Sequence, residues 1–151
     1  MNIQLISQNI EDNQLQQAHA LHQSAHVTPW SFNTFCESTQ KTYCCWVVTH
    51  NGIVHGYAIV QCIADEATLT DITVSSSQRG KGLGKALVQH LISHCENTGV
   101  EKLWLEVRAS NTPAKALYAS LGFEQISTRK DYYATELGWE DAVIMGLSLS
   151  Q

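Results

Sequence analysis

Proline is scarce in this chain. There are two residues, Pro29 and Pro113, among 151, and no linker, repeat or low-complexity segment divides the sequence. Long apolar runs are missing as well. None approaches the roughly 20 residues that a membrane span needs, and the opening MNIQLISQNIEDNQ has neither the basic start nor the apolar core of a signal peptide. These absences predict a cytoplasmic protein without a membrane partner. Positive charge is short: nine Lys and Arg stand against fourteen Asp and Glu, for a net −5. That balance argues against a general nucleic-acid binder, which needs a basic face, and is compatible with a basic peptide or an amine as partner. The five cysteines, Cys36, Cys44, Cys45, Cys62 and Cys95, are odd in number and form no CxxC pair. They argue against a disulfide framework and read as reduced, small apolar residues.

What is present is the composition of an ordinary globular domain, 44% apolar and 15% charged. Its length suits one compact unit over residues 1–151. Residues 1–7 read as a short strand and 10–25 as a helix, with Ile10, Leu15, Ala18 and Leu21 at helical spacing. Pro29 breaks that helix, and Ser31 caps a second, short one. YCCWVVTHNGIVHGYAIVQCI reads as a hairpin turning at Asn51-Gly52. In EATLTDITV the alternation slips: Ala67 and Leu69 share one face, Ile72 and Val74 the other. Either a β-bulge near Thr70-Asp71 restores the phase, or the strand is covered on both faces and needs no strict alternation.

From Gly82 to about residue 96, Leu83, Ala86, Leu87, His90 and Leu91 fall on one helical face, and Gly99 suits the left-handed position past its end. KLWLEVR is a strand with Leu103, Leu105 and Val107 on one side and Trp104, Glu106 and Arg108 on the other. The next helix has Asn111 as cap, Pro113 in the first turn and Gly122 at its close. Two last strands fall near 123–130 and 140–149. Alternating strands and helices after a hairpin give an α/β fold with a mixed sheet.

QRGKGLGKA, residues 78–86, joins strand to helix with glycines at 80, 82 and 84. Such a turn lets an anion approach amides at the positive end of a helix, and Lys81 and Lys85 add charge. It is no nucleotide P-loop, because Gly80 to Gly84 is one residue short and Ala86 follows Lys85. It is no dinucleotide fingerprint, because position 85 is lysine. A pyrophosphate fits. Histidines recur at 19, 22 and 26 and at 90 and 94, but the spacing supplies no third and fourth ligand, so no metal is expected. Ser75-Ser76-Ser77 lacks the GxSxG of a nucleophile elbow and reads as a loop.

The glycine turn resembles the acetyl-CoA motif of the GNAT superfamily of N-acetyltransferases, Q/R-x-x-G-x-G/A, with Arg79, Gly82 and Gly84 at its defined positions. The resemblance covers nearly the whole chain. AHVTPWS, LWLEVRASN, ALYASLGF and DYYATELGWEDAVIMGL look in particular like the bacterial branch that acetylates the N-terminal alanine of a small-subunit ribosomal protein, the one numbered eighteen. It implies the GNAT fold, a mixed sheet of about seven strands with a splayed parallel pair and flanking helices.

The resemblance also implies the site. Ile72, Thr73 and Val74 would pair with the pantetheine arm of acetyl-CoA, and a backbone N–H near Val74 would polarise the thioester carbonyl. Gly80, Lys81, Gly82, Leu83, Gly84 and Lys85 would hold the pyrophosphate, and Asn111 would add a coenzyme contact beside its capping role. Glu106 matches the proton acceptor and Tyr118 the donor to the departing thiolate. An α-amine has an ordinary pKa of about 7.7–8.0, so roughly a tenth or more is neutral at pH 7 and the base need not be strong. The expected chemistry is direct attack with both substrates bound, since no cysteine has the setting of an acyl-accepting nucleophile. Acceptors at other protein N-termini or lysine side chains, and a non-catalytic acyl-CoA-binding module, are the alternatives. Trp30, Tyr132, Tyr133 and Trp139 either line a peptide groove or simply pack. At Ala134 the chain departs from its branch, which carries proline after the double tyrosine, and a looser loop is expected there.

Overall fold

The Asn51-Gly52 pair takes positive φ at both residues, 51° and 78°, the geometry of a tight turn that matches strand twist. It joins β2 (Tyr43–His50) to β3 (Ile53–Ile63). The computed structural model describes residues 2–6, 12–26 and 28–149. The other elements are β1 (Asn2–Ile6), α1 (Asp12–Ala25), α2 (Phe32–Glu37), β4 (Glu66–Val74), α3 (Leu83–Asn97), β5 (Lys102–Arg108), α4 (Thr112–Ser120), β6 (Glu124–Thr135) and β7 (Gly138–Ser148). The expected start of the first helix at Ile10 lies outside the described residues.

The strands form one seven-stranded sheet in the order β1-β2-β3-β4-β5-β7-β6. Every neighbouring pair is antiparallel except β4 and β5, which are parallel. Both faces are covered, and strand alternation feeds both. Trp46, Val48, Ala58 and Val60 pack with Leu87, Val88, Leu91 and Cys95 of α3. Cys45, Val47, Tyr57 and Ile59 pack with Leu15 and Ala18 of α1 and Phe35 of α2. This explains why β2 and β3 are buried nearly residue after residue.

The caps form as expected. Ser31 accepts from the Thr34 N–H at 3.2 Å, and Asn111 from the Ala114 N–H at 3.2 Å. Gly99 and Gly122 take positive φ beyond α3 and α4. Three expectations need correction. His90 is exposed and reaches the core only through an edge-on contact with Trp46 at 6.0 Å, because the buried stripe of α3 runs through Val88 and Cys95 instead. Residues 76–78 form a single 3₁₀ turn rather than a loop. The double tyrosine lies inside β6, which runs to Thr135, with Ala134 paired to Trp139, so a strand stands where a looser loop was expected. Among the described residues no helix is long and apolar enough to cross a membrane.

Candidate active site

The parallel pair is only half zipped. Glu66–Leu69 of β4 match Lys102–Leu105 of β5, and beyond that point the two strands part. The cause is a bulge. Val60 of β3 faces Leu69 and its neighbour Ile59 faces Asp71, so Thr70 is the extra residue, with its hydroxyl donating to the Ile59 carbonyl at 3.1 Å. Ala67, Leu69, Ile72 and Val74 thereby come to one core, while Asp71 and Thr73 turn to the opposite face. Bulge and double coverage both hold. β5 meanwhile stays paired to β7 as far as Arg108 and Ala142, so the gap has one straight wall and one bent wall.

The direction of the main chain along the bent wall follows from one bond. The Ser75 N–H donates to His55 O of β3 at 2.8 Å. Successive amides in a strand point to opposite sides, so Thr73 also addresses β3, and Ile72 and Val74 turn their N–H and C=O groups toward the gap. Of the three expected pantetheine contacts, two therefore offer backbone groups. Thr73 does not, and its side chain bonds to Tyr57 on the other face.

At the end of β4 the chain turns into α3. Gly80 and Gly82 have φ of 78° and 83°, and a Cβ built on either would meet nothing within 4 Å. Among the described residues no side chain caps α3, which leaves its first-turn amides for an outside acceptor. Arg79, Gly80, Gly82, Leu83, Gly84 and Lys85 line a cavity of about 400 Å³ here, together with Val74 and Leu117. Lys81 is exposed on the turn and is not among the lining residues, nor is Asn111.

Glu106 and Tyr118 border a second cavity, of about 200 Å³, in the gap itself, shared with Thr70, Asp71, Ile72 and Tyr133. Glu106 is half-buried and accepts from Arg129 Nη1 of β6 at 3.2 Å. Tyr118 is buried, and burial, aided by Tyr133 and Asp71, pushes its phenol up to about 12. The two side chains arrive from different elements, β5 and α4, and converge because the strands have parted.

A family profile described as Acetyltransferase (GNAT) family matches residues 9–123. The chain belongs to that family. The ribosomal protein bS18-alanine N-acetyltransferase of Escherichia coli (strain K12) is 46% identical over 142 residues, covering 94% of this chain and 96% of its own. The Haemophilus influenzae protein of the same name is 39% identical over 146 residues, 96% and 99% of the two chains. The crystal structure of the Escherichia coli enzyme superposes with a TM-score of 0.90 at 44% identity, over 99% of this chain and 96% of the other. The protein is thus an acetyl-CoA-dependent N-acetyltransferase of the GNAT fold.

A covalent route through cysteine finds no support in this GNAT cleft. Among the described residues no cysteine is joined in a disulfide. Burial raises the thiols of Cys44, Cys45, Cys62 and Cys95, which disfavours a thiolate. Of the four aromatics considered for a peptide groove, Trp30 stacks on His22 at 4.8 Å within the α1–α2 core. Trp139 is exposed on the outer hairpin, and Tyr132, though also exposed, borders a cavity of about 300 Å³ with Thr70, Glu106 and Tyr133. Tyr133 borders the gap, with the Arg108 guanidinium over its ring at 4.3 Å and Glu140 holding that arginine at 3.1 Å.

The sequence reading missed a buried polar cluster at the bulge. Asp71 Oδ2 accepts from His22 Nδ1 at 2.9 Å and from the Tyr57 hydroxyl at 2.6 Å, and Oδ1 lies 3.2 Å from His26 Nε2. Burial alone would raise the carboxyl, but these donors outweigh it and hold it well below the usual carboxylate range. Ligand-type atoms of His22, His26 and Asp71 lie within 4.8 Å of one another, so β4 supplies the third group that the helix spacing lacked. The Trp30 N–H donates to His22 Nε2 at 2.9 Å, however, which places the His22 proton on Nδ1 and leaves no lone pair there for a cation. A charged residue at a buried position of a strand, with histidines spaced i, i+4 nearby, was the available signal.

Proposed function

We propose that the protein, as a single N-acetyltransferase domain, moves an acetyl group from acetyl-CoA to the α-amine of the N-terminal alanine of ribosomal protein bS18. The observation that carries this is the likeness, over nearly the full length of both chains, to the Escherichia coli enzyme of that name. The pyrophosphate rests on the amides of residues 80–85 with Arg79, Lys81 and Lys85 adding charge, and Asn111 adds a contact. The pantetheine arm lies along β4 as an added strand would, bonding to Ile72 and Val74. The Val74 N–H meets the thioester oxygen as charge develops on it.

The amine attacks directly. Glu106 takes the proton shed as the C–N bond forms, Tyr118 hydrogen-bonds to the sulfur as the C–S bond breaks, and the proton passes to the thiolate. Because burial keeps the phenol protonated up to about 12, Tyr118 arrives at each turnover with its hydrogen in place.

The test compares a peptide beginning with the bS18 N-terminus, the same peptide blocked at its α-amine, and a blocked peptide bearing lysine, each with acetyl-CoA and mass-spectrometric readout. Acetylation of the free N-terminus alone is expected. In Glu106→Gln, transfer falls by about 100-fold or more while the acetyl-CoA Kd is unchanged. Transfer to lysine instead, or undiminished transfer by the variant, rules out the acceptor or the base respectively.

A further inference from the structure

One proton of this reaction has no residue assigned. At pH 7 an α-amine is mostly ammonium, and R–NH₃⁺ plus an acetyl thioester yields the amide, the thiol and one H⁺. Glu106 and Tyr118 carry the proton that ends on sulfur; the ammonium proton must leave before attack, since the nitrogen has no lone pair until it does. This inference rests on the α-amine reading of the acceptor.

We propose that His26 accepts that first proton on Nδ1, keeps it as an imidazolium facing Asp71, its positioning residue, while the amine attacks, and releases it to solvent once the amide has formed. His26 follows the last residue of α1, where its N–H donates to His22 O at 3.2 Å. Its side chain is 38% exposed and borders the same cavity as Glu106 and Tyr118. A carboxylate only accepts, so the 3.2 Å contact of Nε2 with Asp71 Oδ1 puts the ring hydrogen on Nε2 and the lone pair on Nδ1. His22, with both nitrogens engaged, cannot serve.

The other groups that hold Asp71 are neutral donors: His22 Nδ1–H, the Tyr57 hydroxyl and the Thr73 hydroxyl, the last at 3.5 Å. The imidazolium formed when His26 takes a proton therefore faces the carboxylate as its partner cation among the described residues. The titratable and charged groups around His26 are Asp71 on β4 and His22 on α1, with ring centroids 4.2 Å apart for the histidines. Across the cavity are Glu106 and Arg108 on β5, Tyr118 on α4 and Tyr133 on β6. Arg108 and Glu106 are already paired, with Glu140 and Arg129.

The experiment measures kcat/KM of the wild type, His26→Gln and His26→Ala toward the bS18 N-terminal peptide at pH 7 and pH 9. Circular dichroism and the acetyl-CoA Kd serve as checks that the variants fold. Without His26 only amine that arrives neutral reacts. That is about one-seventh of it at pH 7 and more than about nine-tenths at pH 9. Both variants are expected to lose about sevenfold at pH 7 and less than about twofold at pH 9. An equal loss at both pH values shows a packing role and overturns the proposal, as does no loss at either. Loss of wild-type activity to a chelator also overturns it, since the trio would then hold a metal. A wild type inert toward the peptide, yet active on another amine, refutes the acceptor reading and this proposal together.

Discussion

Deleting Thr70 would isolate the bulge from everything else in the protein. The residue is extra on β4, so its removal leaves Leu69 opposite Val60 and Asp71 opposite Ile59, with both flanks in register. Ala67, Leu69, Ile72 and Val74 would then alternate without interruption. The main-chain groups of Ile72 and Val74 would meet Glu106, Val107 and Arg108, the three β5 residues that lack a β4 partner. At about 0.5–1.5 kcal/mol for each bond gained, less about 1 kcal/mol for the lost Thr70 hydroxyl bond, zipping adds about 2 kcal/mol. Tm should rise by roughly 4–8 °C. The same closure removes the backbone edge proposed above for the pantetheine arm. Acetyl-CoA Kd, measured by isothermal titration, should weaken by about 100-fold or more, the equivalent of about 2.7 kcal/mol. A folded deletion variant that binds acetyl-CoA as the wild type does would refute the claim that the bulge opens the cleft.

Other consequences are as direct. Tyr118→Phe keeps the ring packed against Phe123 at 5.8 Å but removes the hydroxyl, so kcat should fall about 100-fold with unchanged coenzyme Kd and little change in Tm; an unaltered kcat excludes Tyr118 as the donor. Gly82→Ala has open space for its methyl group but must hold φ near 83°, which should cost about 1–2 kcal/mol in urea unfolding; no cost would mean the turn is looser than described. Tyr57→Phe removes a 2.6 Å donor to Asp71 and should cost about 1.5–3 kcal/mol at pH 7. Because the folded Asp71 carboxyl is depressed, its contribution is full above the unfolded value of about 3.9 and is lost only progressively, as pH falls from there through the much lower folded value. The Tyr57→Phe penalty should therefore persist at pH 4, where Asp71 is still ionised in the fold, and a penalty that disappears there would show that the folded carboxyl is not depressed.

Local chemistry made much of the fold legible. Asn51-Gly52, Ser31 and Asn111 mark a turn and two caps by what their own atoms can do, and each behaves so. The phase slip in β4 is legible for a similar reason, since one extra residue must be accommodated within the strand itself. His90 misleads because a stripe of helical spacing tolerates rotation, and the packing of Val88 and Cys95 decides which face turns inward. The site was only partly legible. Glu106 and Tyr118 carry motif signals, whereas Arg129 reaches Glu106 from 23 residues away and Asp71 meets His22 across 49. Those encounters depend on strand order, which no short window records.

A sheet normally has two margins, and here they are β1 and β6. By parting β4 from β5 midway, the molecule acquires a third margin turned toward its own middle. Unbonded amides on an outer margin invite foreign strands and clumping. Between two neighbours of the same sheet, with His26 and Tyr118 bordering the opening, they would, on the function proposed above, admit a guest slender enough to thread between the walls while still offering amides of its own. Girth becomes a selection rule, and a stickiness that other proteins must suppress is put to use.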